Sequence, residues 1–255
     1  MDLKYPNRTN PGVIGSLGTF ATPDWFMRSS GINLFTPGTN PIHRKAKNMI
    51  TIQPDFVSPA PEEILQTVAE RIRERNIEVV IVNNGEEARK EALARIPQGA
   101  EVHSGKSKTL QETGIFDAIM DPNNFSALRH QILKMDRKTQ AQEIRKLMAA
   151  PDFMLGSVNA ITQSGILVAA SATASQIGPY ANTAGRLILV VGSQKVVPDL
   201  ETAFKRIREH VQPWEEEQVR KTANIGTFVG KILIIEREWI KERTTVILVR
   251  EPTGI

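Results

Sequence analysis

The chain has 255 residues, 40% of them hydrophobic, and no cysteine. That length can bury a full core, as one domain with an appendage or as two domains. The missing thiols exclude a disulfide framework, a thiol nucleophile and any zinc or iron–sulfur site built on the chain's own thiolates. The formal charge of +4 is carried at the start: residues 1–50 hold six Lys/Arg against two Asp, which leaves 26 against 26 beyond them.

The remainder is therefore neutral. With only two Tyr and three Trp, and no basic stripe between aromatics, the footprint of a nucleic-acid binder is missing. Four scattered histidines (His43, His103, His130, His210) have no paired ligand spacing, so no intrinsic metal or cofactor is expected.

Residues 1–48 are rich in Thr, Pro, Gly, Asn and Ser without a sustained period, as in Thr36-Pro37-Gly38-Thr39-Asn40-Pro41. They read as an irregular N-terminal extension, with the α/β domain occupying 49–255. The stretch is acid-poor, but Asp2 and the lack of an Arg-rich amphipathic helix argue against a transit peptide, and no signal-peptide core is present. A cytoplasmic protein is expected.

Pro61-Glu62-Glu63 opens a helix with Ile64, Leu65, Val68 and Ile72 on one face, ending near Asn76. The β-branched run Glu78 to Val82 stops at Asn83-Asn84-Gly85 and is followed by a second helix to about Ile96. Ala100 to His103 reads as a short strand before the turn Ser104-Gly105-Lys106-Ser107-Lys108-Thr109 and a helical turn. Asp117 to Met120 could form a further strand, and residues 125–149 have a charged helical pattern. This alternation predicts a parallel sheet covered by helices on both faces.

From Phe153 to Gly185 no Asp, Glu, Lys, Arg or His occurs. The stretch is too rich in Asn, Gln, Ser and Thr for a membrane span, and reads instead as core strands joined by site-forming turns. Ile166 to Ala170 is one strand, and Leu187 to Val191 is the clearest buried strand of the chain. Pro198 starts a helix with Leu200, Ala203, Phe204, Ile207 and Val211 on one face. A short acidic helix, Trp214 to Lys221, precedes two strands, Ile232 to Ile235 and Thr245 to Val249, which close or extend the sheet.

Several short patterns bear on chemistry. Gly99 and Gly105 are separated by five residues, one too many for a nucleotide-binding P-loop. Gly105-Lys106-Ser107-Lys108-Thr109 remains either an anion cradle or an N-capped helix with solvated lysines. Thr162-Gln163-Ser164-Gly165 could hydrogen-bond a ligand or simply satisfy a tight turn. Ser171, Thr173 and Ser175 follow a strand's carboxyl end, where open α/β sheets place ligands. Lys195, just past the best strand, could bind an anion, form a Schiff base or pair with Asp199. No Gly-x-Ser-x-Gly elbow and no dinucleotide Gly-x-Gly-x-x-Gly is present.

Two blocks resemble a known family: Gly156-Ser157-Val158-Asn159-Ala160-Ile161-Thr162 through Gly165, with Ser171-Ala172-Thr173-Ala174-Ser175-Gln176, and Val190-Val191-Gly192-Ser193-Gln194-Lys195-Val196-Val197. Together with Ser107 and Thr109 to Ile115 they are similar to the LUD domain, which includes the lactate-utilisation C-type proteins, over roughly residues 60–255. The resemblance implies a Rossmann-like α/β fold of the sugar-phosphate isomerase and CoA-transferase type. It also implies participation in lactate oxidation beside iron–sulfur partner proteins, with this chain as a non-redox component.

Where family members often have Glu, this sequence has Gln163, and an amide cannot act as an acyl-accepting carboxylate. The expected role is binding of a small anionic metabolite by Ser107, Lys108, Thr109, Thr162, Gln163, Gly165, Ser171 and Lys195, with no catalytic residue assigned. An isomerase- or CoA-transferase-like enzyme and an assembly subunit of an iron–sulfur complex are the alternatives. Homo-oligomerisation is compatible with each.

Overall fold

The computed structural model describes residues 55–255. The expected extension of residues 1–48, and its boundary at Met49, lie outside the described residues.

Helix α1 (Glu62–Glu74) turns Leu65, Val68, Ala69 and Ile72 inward, with Glu62 and Glu63 at its positive end and Arg71 and Arg73 in its last turn. Strand β1 (Glu78–Val82) leads into α2 (Gly85–Ala94), capped by the Asn84 side chain, which accepts from the Glu87 N–H. Strand β2 (Glu101–Ser104) is followed by the short helices α3 (Lys108–Glu112) and α4 (Ile115–Met120), a two-residue strand β3 (Ser126–Ala127), then α5 (Leu128–Leu133) and α6 (Ala141–Ala149).

The segment from Asp117 to Met120 is thus helical, not a strand. Gly114 starts α4 in the left-handed region, and Ile115, Ala118 and Ile119 repeat at helical spacing toward the core.

The uncharged stretch supplies β4 (Phe153–Gly156), β5 (Ala160–Thr162), β6 (Leu167–Ser171) and a wide helical turn, Pro179–Thr183. Next come β7 (Arg186–Gly192), a tight turn Ser193–Lys195, β8 (Val196–Val197) and α7 (Leu200–Arg206). Helix α7 continues through a wider helical turn, Ile207–Val211, directly into α8 (Gln212–Ala223), so the two expected helices are continuous. Strands β9 (Lys231–Ile235) and β10 (Thr244–Val249) complete the domain.

The main sheet has six strands, all parallel, in the order β1-β10-β7-β4-β2-β3. All six residues of β10 are buried, as expected for a strand flanked and covered on all sides. Alternation along β7 sends Leu187, Leu189 and Val191 to one face and Ile188 and Val190 to the other. The second set packs with Ala88 and Ala92 of α2, Leu110 of α3 and Ile115 and Ile119 of α4. The first packs on α1 and on a second sheet, β8-β5-β6-β9, through Ile161, Leu167 and Ala169.

The outer face of that small sheet is closed by Ala203 and Ile207. The architecture is α/β with a mostly parallel, Rossmann-like sheet. One of its faces, however, is covered by a helix together with a small mixed sheet, and β9 belongs to that sheet while β10 runs through the main one.

Candidate functional site

From β2 the chain steps outward to β3, and on returning it places β4 on the opposite side of β2. The carboxyl ends of β2 and β4 therefore diverge into loops that leave a crevice between them, the position at which open α/β sheets bind ligands. A cavity of about 530 Å³ opens there. Residues 105–109 after β2, 156–159 at the end of β4, 170–173, Ser175 and Gln176 at and beyond the end of β6, and Lys195 line its inner part, and Trp214, Val219, Ile225 and Phe228 form an outer wall that is apolar except for Glu215.

Each inner group is held by its own local structure. Ser107 caps α3, its hydroxyl accepting from the Leu110 N–H at 3.3 Å. Thr109, one residue into the helix, then points inward and is buried. Beyond β4 the Ser157 backbone is gripped by Tyr180, whose hydroxyl accepts from the Ser157 N–H and donates to the Ser157 carbonyl, each at 3.2 Å. Past β7, the Ser193 hydroxyl donates to the Arg250 carbonyl at 2.5 Å. The Gln194 amide pairs with the Thr253 backbone, donating to its carbonyl at 3.0 Å and accepting from its N–H at 3.1 Å. The turn is thereby tied to the segment after β10, and Lys195 is directed back across the ends of β4 and β2.

Lys195 is the centre of the arrangement. It is 2% exposed, and its Nζ donates to Thr109 Oγ1 at 2.8 Å and to Ser157 Oγ at 3.0 Å. Among the described residues it forms no ion pair; Asp199, a sequence-expected partner, instead caps α7 by accepting from the Thr202 N–H at 2.8 Å. Burial, then the nearby charge of Arg206, push the Lys195 ammonium down to about 7, with Glu112 acting in the opposite sense.

Arg206 lies behind the cavity wall, fully buried. It donates to the carbonyls of Asn159 at 2.6 Å and Phe56 at 3.4 Å, and among the described residues its Nε lacks a partner and it forms no ion pair. The inner end of the cavity thus combines positive potential with neutral hydroxyls and amides.

Of the sequence-expected site residues, Ser107, Lys108, Thr109, Ser171 and Lys195 all line this cavity. Lys108 is exposed at its rim, paired with Glu112 at 3.2 Å. Thr162, Gln163 and Gly165 do not line it. They form the β5–β6 turn: the Thr162 hydroxyl accepts from the Ile166 N–H at 3.0 Å, Gln163 N donates to the Val197 carbonyl at 2.8 Å with its side chain exposed, and Gly165 lies against the backbone of α1.

Ser157, Asn159, Gln176 and Tyr180 belong to the site without having been singled out as binding residues. Their signal was available, since all four fall in the uncharged stretch. Arg206 and the outer wall from α8 had none, because nothing in their local pattern sets them apart from the other residues of a surface helix. Among the described residues no group of three or more His, Asp or Glu could hold a metal ion, and no helix is long and apolar enough to cross a membrane.

The LUD domain family model matches residues 65–249. The chain belongs to the LUD-domain family. The matched segment begins in α1 and ends with β10, so it contains every strand that shapes the cavity. No curated protein matches this LUD-domain chain. Among solved structures it is similar to the crystal structure of a DUF162 family protein from Deinococcus radiodurans, at 13% identity and a TM-score of 0.46, over 73% of this chain and 96% of that one.

Proposed function

We propose that this LUD-domain protein binds a small carboxylate metabolite at the carboxyl ends of β2, β4 and β7, as a non-redox component of lactate or organic-acid utilisation in the cytoplasm. One observation carries the reading: the Lys195 ammonium is buried at the inner end of the cavity, held among the described residues only by the hydroxyls of Thr109 and Ser157. Burying an ammonium without a counter-charge is costly, and a bound carboxylate supplies the missing charge. Ser107, Ser171 and Gln176 add neutral polar contacts, while the rim lysines Lys106 and Lys108 are paired with Glu215 at 3.8 Å and Glu112 at 3.2 Å. Redox chemistry would fall to iron–sulfur partner proteins, since this chain has no cysteine.

The test is a thermal-shift screen of the full chain against lactate, pyruvate, sugar phosphates and CoA esters, repeated with Lys195→Met. At 100 times the dissociation constant a ligand stabilises by about 2.7 kcal/mol. Stabilisation by lactate or pyruvate that disappears in the variant supports the reading. Stabilisation by sugar phosphates or CoA esters alone favours an isomerase- or transferase-like enzyme. No stabilisation by any class favours an assembly subunit.

A further inference from the structure

A lysine that only binds anions is ordinarily exposed or paired. Lys195 is neither. Two of its hydrogen-bonding positions are taken by Thr109 Oγ1 and Ser157 Oγ, and the remaining tetrahedral position on Nζ is left for the cavity that all three residues line. In the ammonium form that position carries an N–H; in the amine form it carries the lone pair. Glu112, the nearest influence favouring the charged form, is already engaged by Lys108 Nζ at 3.2 Å and by the Gly254 N–H at 2.5 Å. Opposite, the Gln176 amide oxygen accepts from the hydroxyls of Ser171 and Ser175 at 3.3 and 3.2 Å, which directs its NH₂ elsewhere as a donor.

We propose that Lys195 is a nucleophile that condenses with the carbonyl carbon of a small 2-oxo acid to form an imine. This rests on the carboxylate-binding reading above and narrows its ligand to acids that bear a carbonyl next to the carboxylate. The Nζ lone pair attacks the carbonyl carbon, and the C=O π pair moves onto oxygen. The Ser157 or Thr109 hydroxyl passes the proton from Nζ to that oxygen, receiving one as it gives one. The carbinolamine hydroxyl then takes a second proton, relayed from solvent through the same hydroxyl group, and leaves as water while the Nζ lone pair forms the C=N bond, so the iminium keeps the last N–H and one positive charge, with no oxidant or reductant required. The resulting iminium lies beside the ligand's own carboxylate, which supplies the charge partner that the free lysine lacks. Burial and Arg206 together keep part of the amine unprotonated near neutral pH.

Pyruvate is the probe. The full chain is incubated with pyruvate, quenched with sodium borohydride, digested and mapped by mass spectrometry, with parallel melting curves in pyruvate and in lactate. The expected result is a reduced pyruvyl adduct that saturates at Lys195, is suppressed by lactate, and is absent from Lys195→Arg, which keeps a positive charge but cannot form the imine. An exposed lysine is only about one part in a thousand amine at neutral pH, so Lys195 should be labelled on the order of a hundred-fold or more above any other lysine.

Adducts spread over exposed lysines and unchanged in Lys195→Arg overturn the proposal. If lactate and pyruvate both raise the melting temperature but Lys195 stays unlabelled, the imine fails and the carboxylate site stands. If neither ligand shifts the melting curve and no adduct forms, both fail. Should Lys195→Arg misfold, protection of the wild-type Lys195 peptide by lactate decides in its place.

Discussion

The Tyr180 hydroxyl occupies the space that a side chain on Gly156 would fill, and from there it bonds both the N–H and the carbonyl of Ser157. The last residue of β4 is therefore glycine because a tyrosine from the wide turn Pro179–Thr183 passes over it, and the site serine that follows is held by that tyrosine. Gly156→Ala must displace the ring or the strand end and should cost about 1–3 kcal/mol in urea unfolding. Tyr180→Phe should cost about 1 kcal/mol through the lost hydrogen bonds, and it should weaken carboxylate binding by freeing Ser157. Unchanged stability in Gly156→Ala would show that the ring is not fixed against the strand.

Three buried bases contribute to the pH dependence of stability; burial pushes one of them, Arg206, down to about 10, so it acts only in strongly alkaline solution. His103, in β2, is pushed down to about 4, first by burial and then by Arg129, and Lys195 down to about 7. For each, the unfolded chain holds a proton that the folded chain has released, so stability rises with pH across the window between the two values. For Lys195 that window runs from about 7 up to the ordinary lysine value of 10.5, with a slope of roughly 1.4 kcal/mol per pH unit. For His103 it runs from about 4 to 6.5. Lys195→Met should remove the slope between about pH 7 and 10 and leave the acidic one, as read from unfolding midpoints over a pH series.

Arg243 and Glu238 form a buried ion pair at 2.7 Å. The same guanidinium donates to the carbonyls of Pro179 at 2.8 Å and Ala184 at 3.2 Å, which anchors the turn that carries Tyr180. Removing one partner leaves a buried charge, so Glu238→Ala should destabilise by about 3–5 kcal/mol. The double change Glu238→Ala with Arg243→Met should recover part of the loss. A double variant no better than the single one would mean that the backbone contacts dominate.

The β5–β6 turn offers a contrast. Gly165 has φ +85°, and a Cβ there would come within 2.8 Å of the Arg71 carbonyl carbon. Gly165→Ala should therefore cost about 1–3 kcal/mol while leaving ligand affinity unchanged. Gln163→Glu, on an exposed side chain of the same turn, should stay within about 0.5 kcal/mol and leave the ligand-induced melting shift intact. A large loss of binding in Gln163→Glu would bring that turn back into the site.

The main sheet was legible because its strands are buried on both faces and read as unbroken runs of Val, Ile and Leu, Val79 to Val82 and Leu187 to Val191 above all. The segment after Gly114 was not, since six residues are too few to separate helix from strand by period, and the left-handed glycine that starts the helix has no unique sequence mark. Five cavity residues could be placed from their positions just past strand ends. Thr162, Gln163 and Gly165 have the same composition and the same flanking strand, but they belong to a hairpin of the small sheet, whose turn faces α1. Lys195 looked like any lysine near a turn. Its isolation from acids depends on Asp199 being used as a helix cap and Glu112 being used by Lys108 and Gly254, which no local pattern reports.

The order β1-β10-β7 also bears on how the protein is made. Among the described residues strand β1 has one neighbour in the sheet, and that neighbour is β10, the last strand of the domain. During synthesis β1 and the helix before it emerge early, yet β1 has no edge to join until residues 244–249 have left the ribosome. The buried face of α1 and the β-branched run that follows must stay exposed through most of translation, a long-range closure that slows folding and invites aggregation of incomplete chains. The same closing strand carries the tail that Gln194 clamps, so Lys195 can be brought to its final position only as the sheet itself is completed.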